Sequence, residues 1–498
     1  MKSLFDIISK MTKGERLFFR RPYQQRLPHF VQLYDIVINN ASLTLAEMNA
    51  LLKAEFGKQL NYIKHQLVEK LLHSIMLYAA KDNAQIEILQ EIAVIKTLRF
   101  KKHNHLAKKR LQKVFKHCLQ LQEHNLLELL LQEQFKLEIY DNLNLKVDEY
   151  NTLLSLSKSH ANSYTQLLKL RIIYDELIFL KKESGFFSEY QKNQYDRVER
   201  DFEQLDASPQ DSHDEYFLLF YFSQALFLVY RKKSEEAQHL IKSVLLRLKV
   251  AENFVADNHE FLIEAIRFYR SLICLNEDFV ESLWLLEYME TKKVKYPQLE
   301  TQLDLITFLH EIKYSHAGAN YVKARKLLSE NESKFDEWLN ISNLELQSVL
   351  IGSISISYFI AADYENSYWY ISRLLKTFKN NVRHDIISFA NMFAVLVSYE
   401  LKNESIFKSQ VVKSINHFKK NRNSEGGAIR IIQCLSKTFF LENFEDRKRA
   451  YQDLKPMLKE NKHDQIQQML YGYFDFKSYF ESKIERVGYK EYKKSLIS

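Results

Sequence analysis

The sequence predicts an all-α fold, an α-solenoid of helical hairpins with a period of about 42 residues behind an N-terminal helical cap. Two observations support this fold class. The chain of 498 residues contains only 9 glycines and 5 prolines, and sheets, hairpin turns and phosphate-binding loops need those residues. In addition, a helix-capping residue followed by a large apolar residue recurs five times in the second half of the chain.

The recurring pairs mark helix starts, because Asp, Asn and Ser side chains accept hydrogen bonds from the free N–H groups of a first helical turn. Their apolar members are 42, 43, 42 and 38 residues apart. That distance is close to the length of two helices and two turns, as in helical-hairpin repeats. The pairs are Asp278/Phe279, Asn320/Tyr321, Asp363/Tyr364, Ser405/Ile406 and Asn443/Phe444.

Residues 1–84 do not follow this phase and are predicted to form a four-helix unit, either a cap or a separate module. Thr12 and Glu15 fit a capping box, in which each side chain bonds the backbone of the other residue. The four helices are predicted from Thr12 to Arg21, from Pro28 to Asn39, from Thr44 to Phe56 (ended by Gly57) and from Lys58 to about Ala80.

Three motifs of this unit resemble the start of a bacterial family of uncharacterised tetratricopeptide-like proteins. They are TKGERLFF at 12–19, LYD at 33–35 and QLNYIK at 59–64. The resemblance covers about the first 80 residues as motif and the rest of the chain only as architecture. It implies a tetratricopeptide-like helical-repeat fold and brings no activity, cofactor or site residue.

Residues 85–462 form the predicted repeat array, and residues 463–498 are predicted to be capping helices that close it. A loop-like stretch at 206–214 either divides the array or forms a longer turn. Extending the phase backward predicts further helix starts near Leu106, Asp148, Tyr190 and Ser234.

The second helices share a further pattern, a small residue three positions after the apolar residue that opens the helix. This step is typical of tetratricopeptide repeats, where it lets the second helix lie close to the first. It occurs at Phe279/Ser282, Tyr321/Ala324, Tyr364/Ser367 and Ile406/Ser409. The long period and Arg447, which breaks the small-residue rule, depart from that repeat. A HEAT or armadillo stack, with a period of 40–47 residues, stays open as an alternative, as does another all-α fold.

The apolar run from Tyr216 to Tyr230 is the strongest candidate for a membrane segment. As a helix it would span roughly 22 Å, which is short of the roughly 30 Å hydrocarbon core of a bilayer. We therefore expect a buried helix, no membrane partner and a cytoplasmic protein.

The densest charge cluster, which we call the basic stripe, contains hardly an acid. Such a cluster neutralises phosphates when a protein binds nucleic acid. On a helix, however, Lys109, Lys113 and Lys116 would also form an ordinary solvated face. The apolar face of that helix would hold Leu106, Leu111, Val114, Phe115 and Cys118 in the core. The candidate residues for an anionic partner are Arg99, Lys101, Lys102, Lys108, Lys109, Arg110, Lys113 and Lys116.

No sequence motif predicts catalysis. Glycine-rich phosphate loops and the zinc-protease and serine-hydrolase motifs do not occur, and the three cysteines show no zinc-site or disulfide spacing. Glu236/His239 and Glu460/His463 have the Glu-x-x-His spacing of di-iron bundles, but helix ends and turns account for them. We therefore expect no catalytic residue, cofactor or metal.

These observations predict a non-catalytic scaffold that binds a protein or peptide along the concave face of a helical-repeat array. Tyr358, Tyr368 and Tyr370 are candidates for that face, because amphipathic rings make good peptide contacts. The alternative is a nucleic-acid-binding or regulatory helical protein that uses the basic stripe. A helix-turn-helix over Thr44–Leu72 and an enzyme without recognisable motifs also stay open.

Overall fold

The computed structural model describes residues 2–23, 27–40, 43–79, 83–121, 124–141, 147–184, 189–205, 214–276, 278–341, 344–378, 384–420, 427–454 and 473–496. These residues form helices joined by turns and contain no strand, so the predicted all-α class is confirmed. The chain divides into two compact units, Met1–Thr165 and Gln166–Ser498. This boundary falls inside one long helix, and the sequence-based boundaries after residues 84 and 462 stay predictions.

Unit 1 contains the four predicted N-terminal helices and a further one, α1, that sequence reasoning missed. Thr12 and Glu15 form the predicted capping box, with Glu15 Oε2 2.7 Å from Thr12 N and Thr12 Oγ1 3.2 Å from Glu15 N. Its helices are Lys2–Lys10 (α1), Lys13–Arg20 (α2), His29–Asn39 (α3), Leu45–Phe56 (α4), Leu60–Ala79 (α5), Ala84–Phe100 (α6), Asn104–Leu121 (α7), His124–Asp141 (α8) and the first part of Val147–Ser184 (α9).

Two hydrophobic cores fill unit 1. Helices α1 to α5 bury the first core, in which Val31, Leu33 and Leu67 are fully enclosed. Helices α6 to α8 bury the second core around Ile95 and Leu130. The change of core between α5 and α6 falls near residue 84, where the sequence predicts the end of the N-terminal unit.

Unit 2 continues with the rest of α9 and with helices that are mostly paired. Their bounds are Glu189–Glu203 (α10), Asp214–Tyr230 (α11), Ser234–Arg247 (α12), Glu252–Asp257 (α13), His259–Asn276 (α14), Phe279–Lys295 (α15), Glu300–Ala317 (α16), Tyr321–Asn331 (α17), Phe335–Ile341 (α18), Leu344–Ile360 (α19), Tyr364–Thr377 (α20), His384–Glu400 (α21), Glu404–Lys420 (α22), Gly427–Phe439 (α23), Phe444–Gln452 (α24), Phe476–Ile484 (α25) and Tyr489–Ser495 (α26).

The apolar run at 216–230 forms most of α11, whose side chains are largely buried as predicted. The acids Asp214 and Glu215 occupy the first turn of this helix, where they oppose the positive end of the helix dipole. Among the helices of the described part of the chain, none is long and apolar enough to cross a membrane.

One short turn recurs between paired helices. The residue that ends the first helix has positive φ, and the next N–H donates to a carbonyl of the last helical turn, which satisfies that helix end. At Ala362, φ is +61°, and Asp363 N lies 2.9 Å from Tyr358 O. Equivalent bonds join His103 to Leu98, Lys233 to Leu228, Asn320 to Ser315 and Val487 to Ser482. The positive-φ residues at these turns include Lys102, Lys232, Ala319, Ala362, Lys402 and Arg486.

Four of the five predicted caps are confirmed. The side chains of Asp278, Asn320, Asp363 and Asn443 each accept a hydrogen bond from a first-turn N–H. These caps begin α15, α17, α20 and α24 at the predicted residues.

The fifth cap, Ser405, is wrong. Helix α22 begins at Glu404, and the Asn403 side chain accepts a bond of 3.1 Å from Ile406 N. The turn at Lys402 fixes this start, because the residue after the left-handed position becomes the cap. The predicted small residue Ser409 is consequently exposed, and Phe407 occupies the buried position of the first turn.

The helix starts obtained by extending the phase lie within two residues of observed ones. Helices α7, α9, α10 and α12 begin at Asn104, Val147, Glu189 and Ser234. However, α9 continues for 38 residues without a turn. Residues 206–213 of the predicted break and 463–472 of the predicted capping helices lie outside the described residues.

The recurring turn predicts the effect of a glycine at Ala362. Relief of the left-handed strain, about 1–2 kcal/mol, should exceed the added entropy of the unfolded chain, about 0.4–1 kcal/mol. Ala362→Gly should therefore raise the free energy of unfolding by about 0.5–1 kcal/mol, measured by urea denaturation followed by circular dichroism. Ala361→Gly is the control, because Ala361 does not have positive φ, and it should lower stability by a similar amount. Equal effects of both changes would contradict the proposed strain.

Candidate functional site

The basic stripe lies at the turn between α6 and α7 and along α7. Three of its residues tie these helices to neighbouring carboxylates. The ion pairs are Arg99 Nε–Glu133 Oε2 at 3.0 Å, Lys108 Nζ–Glu138 Oε2 at 2.9 Å and Arg110 Nη1–Glu91 Oε2 at 2.7 Å. Burial of Glu133 opposes its ionisation, yet hydrogen bonds from Lys136 and Arg99 outweigh burial and lower the pKa of Glu133. These three stripe residues therefore have a structural role.

The other five residues of the stripe are exposed. They form no ion pair with any carboxylate that the structure describes. They are Lys101, Lys102, Lys109, Lys113 and Lys116. This set is the part of the stripe that is accessible to an anionic partner.

An open depression of about 540 Å³ lies between α6 and α7 and adjoins Lys109 and Lys113. Leu106 lines it and is 53% exposed, so its prediction as a core residue is wrong. The reason is that α7 begins at Asn104, and its first turn extends beyond the apolar core. The other predicted core positions of α7 are confirmed, with Leu111, Val114 and Cys118 buried and Phe115 half-buried.

A second depression, which we call the central groove, lies in unit 2 and was missed by sequence reasoning. It has a volume of about 250 Å³ and is lined by α14, α16, α19 and α21 together with Lys181 of α9 and Tyr473. These four helices are the first members of consecutive helical pairs. One side of the groove is charged, and the other is apolar.

The charged side begins with a closed set of two cations and two carboxylates. Lys181 Nζ lies 2.6 Å from Glu264 Oε1, and Arg267 Nη1 lies 2.9 Å from Glu264 Oε2. The other nitrogen of Arg267, Nη2, lies 2.7 Å from Glu345 Oε2. All four side chains are only 13–21% exposed. Burial opposes ionisation of Glu264, but Lys181 and Arg267 lower its pKa, so the set is ionised and neutral as a whole.

Arg270 and Lys313 add two further cations to the groove. Arg270 Nη2 donates to Leu309 O at 2.9 Å, whereas Arg270 Nε is buried without a hydrogen-bond partner. Burial lowers the pKa of Lys313, and the charge of Arg270 acts in the same direction. The nearby carboxylate of Asp475 is bonded to Lys493 at 2.8 Å. The groove therefore has an excess of positive charge.

The opposite side of the groove is apolar. It is formed by Ile312, Leu346, Val349, Ile356, Leu374, Ile386 and Phe389. A serine, Ser353, and the uncharged backbone of Gly352 lie among these residues. A ligand in this groove would therefore meet cations on one side and hydrocarbon on the other.

Two histidines of α16 lie near these cations and are neutral at pH 7. Burial lowers the pKa of His310 to about 4, and the charge of Arg270 contributes. Burial lowers the pKa of His316 to about 3, and the charge of Lys313 contributes. Their Nε2 atoms contact Ser282 Oγ at 2.5 Å and Ser357 Oγ at 3.0 Å.

The candidate metal and thiol residues have simpler environments. Glu236 Oε1 pairs with Lys233 Nζ at 2.9 Å in the first turn of α12, while Glu460 and His463 lie outside the described residues. Cys118, Cys274 and Cys434 are free thiols. Within the described ranges, no three His, Cys, Asp or Glu side chains are grouped as metal ligands.

No protein-family model, curated protein or solved structure matches this chain. Its chemistry is therefore defined by its own side chains. The two candidate features are the exposed lysines of the basic stripe and the charged, apolar-walled central groove.

The neutral histidines predict a loss of stability in acid. Because their folded-state pKa values lie below the ordinary value of about 6.5, the unfolded chain binds more protons as pH falls below 6.5. Between pH 7 and pH 5 each histidine should lower the free energy of unfolding by about 2 kcal/mol. Urea denaturation of His310→Gln/His316→Gln should show a correspondingly smaller loss. His239→Gln, which changes an exposed side chain, should behave as the unaltered protein, and an unchanged loss in the double variant would refute the assignment.

Proposed function

We propose that the chain is a non-catalytic helical-repeat scaffold that binds a segment of another protein in the central groove. The observation that carries this proposal is the groove itself, which combines cations and an apolar wall on four helices that are consecutive first members of pairs. A surface shared by successive hairpins is where stacked helical repeats bind extended partners. No step of this function requires a cofactor.

Helix packing in unit 2 supports a solenoid. Each first helix contacts its own second helix and also the first helix of the following pair. The contacts within pairs are α14 with α15, α16 with α17, α19 with α20 and α21 with α22, and those between pairs are α14 with α16, α16 with α19, α19 with α21 and α21 with α23. This pattern is the one expected when hairpins stack in chain order.

Three small residues support the tetratricopeptide-like form of that solenoid over a HEAT-like stack. Ser282, Ala324 and Ser367 are buried three positions after the residue that opens α15, α17 and α20. Ser367 Oγ donates to Ser355 O of α19 at 2.8 Å, so the second helix lies directly against the first. A large side chain at this position would separate the two helices.

Aromatic residues of α19 and α20 extend the candidate binding surface. Tyr358 and Tyr370 stack with ring centroids 5.6 Å apart and are half-buried. Trp369 is exposed beside them, with Arg373 over its ring. Aromatic side chains of this kind contribute much of the binding energy of protein interfaces. We place the protein in the cytoplasm, because three free cysteines suit a reducing compartment.

Site-specific photo-cross-linking tests the scaffold function. A benzophenone amino acid at Ser271, which lines the groove and is exposed, should yield one dominant cross-linked protein in cells. The same residue at Val322, exposed on α17, is the matched control and should yield little. Equal products at both positions, or turnover of a small molecule by the purified chain, would count against a non-catalytic scaffold.

Nucleic-acid binding is the second candidate function, and the five exposed lysines of the basic stripe favour it. Binding to RNA or DNA should weaken with salt, and Lys109→Glu/Lys113→Glu/Lys116→Glu should reduce the slope of log K against log [salt] by roughly 2 to 3. Filter binding over a salt series measures the slope. Lys53→Glu/Lys58→Glu/Lys70→Glu alters three other exposed lysines of unit 1 and should change it less. Equal slopes for both triple variants would exclude the stripe as the binding surface.

A further inference from the structure

The central groove contains more positive charge than its own residues balance. Glu264 and Glu345 are both engaged by Lys181 and Arg267, through contacts of 2.6 to 2.9 Å. Arg270 donates to a backbone carbonyl and has no carboxylate within ion-pair distance in the described chain. A buried guanidinium without a counter-charge is unfavourable for folding, so its retention in the groove points to a ligand.

The groove also limits the size and shape of that ligand. At about 30 Å³ for each water, its 250 Å³ would hold roughly eight waters, about the size of one or two amino-acid side chains. Arg270 and Lys313 lie on neighbouring first helices, 43 positions apart in the chain, so one oxyanion can accept hydrogen bonds from both. The apolar wall of α19 and α21 faces the rest of the ligand.

We propose that Arg270 and Lys313 bind an oxyanion of the partner segment while an apolar side chain next to it packs against Leu346, Val349 and Phe389. The partner is thus an acidic peptide in which a charged residue stands beside a large apolar one. This inference rests on the proposed function, since it names the chemistry of the segment that the scaffold binds. The oxyanion is a carboxylate of Asp or Glu, or a phosphate carried by a modified residue.

The charge argument predicts the stability of groove variants. Arg270→Gln removes an uncompensated buried charge and should leave the denaturation midpoint unchanged or raise it. Arg267→Gln, the matched control, leaves two carboxylates without their cation and should lower the midpoint. Lys313→Glu places a carboxylate beside Arg270 and should raise the midpoint while blocking the site. A fall in midpoint for Arg270→Gln as large as that for Arg267→Gln would give Arg270 a structural role and overturn the proposal.

Selection of peptides tests the ligand itself. A displayed library of random twelve-residue peptides is selected on the immobilised full chain, in parallel with Arg270→Gln and Lys313→Glu. We expect enriched peptides with an acidic residue next to Leu, Ile, Val or Phe, and no such enrichment on either variant. Enriched peptides without an acidic residue, or equal enrichment on the variants, would overturn the oxyanion site while peptide binding stands. Failure to enrich any peptide would count against the proposed function as well.

The leading peptide is then made in four forms and measured by fluorescence anisotropy. Glutamine in place of its acidic residue should weaken binding by about tenfold or more, because a charge-assisted pair is lost. Phosphoserine and serine at the same position distinguish the two sources of the oxyanion. Tighter binding of the phosphoserine form than of the acidic form identifies phosphate, and weaker binding identifies carboxylate. Equal binding of the acidic and glutamine forms would refute charge recognition.

Discussion

The recurring turn between paired helices is the constraint on which the rest of the structure depends. A residue in the left-handed region ends the first helix, and the next residue both bonds back to that helix and caps the following one. At Ala362 and Asp363 one short stretch satisfies a carbonyl end and an N–H end together. The direction of the second helix is thereby fixed within three residues. Antiparallel packing of each pair, and with it the alignment of first helices along the groove, follows from this geometry.

Electrostatics inside the groove divide into two parts with different physical roles. Lys181, Glu264, Arg267 and Glu345 form a closed set whose charges cancel, so it joins three helices without an external ion. Arg270 and Lys313 do not belong to that set. Their charges are held close to hydrocarbon by the backbone of α14 and α16, and this arrangement is of use only when something negative enters. The fold therefore supplies both the rigid frame and the charge that the frame leaves exposed to a ligand.

Local signals in the sequence were enough for the helix starts but not for the sites. Asp363 could be predicted as a cap because a cap needs only its own side chain and the next three residues. Ser405 failed because two capping residues, Asn403 and Ser405, lie within one turn, and the choice between them depends on the left-handed residue before them. Leu106 failed because its exposure depends on where α6 ends beside it.

The central groove could not be found from spacing alone. Arg270 and Lys313 become neighbours only when two first helices stack, and a single sequence does not show which of its many basic residues face inward. The one available signal was a charged residue inside an otherwise apolar first helix, at a separation of 43 residues. The basic stripe drew attention because its charges are adjacent in the chain, yet three of its eight residues have structural partners.

The ion pairs of the groove also bear on how unit 2 folds. Most helix contacts join neighbours in the chain, so individual hairpins can form early and independently. Lys181 and Glu264 are 83 residues apart, and Arg267 and Glu345 are 78 apart. These bonds can form only after several hairpins have assembled in order. The groove is consequently a late feature of folding and an early loss in partial unfolding, so ligand binding would report on the integrity of the whole central stack.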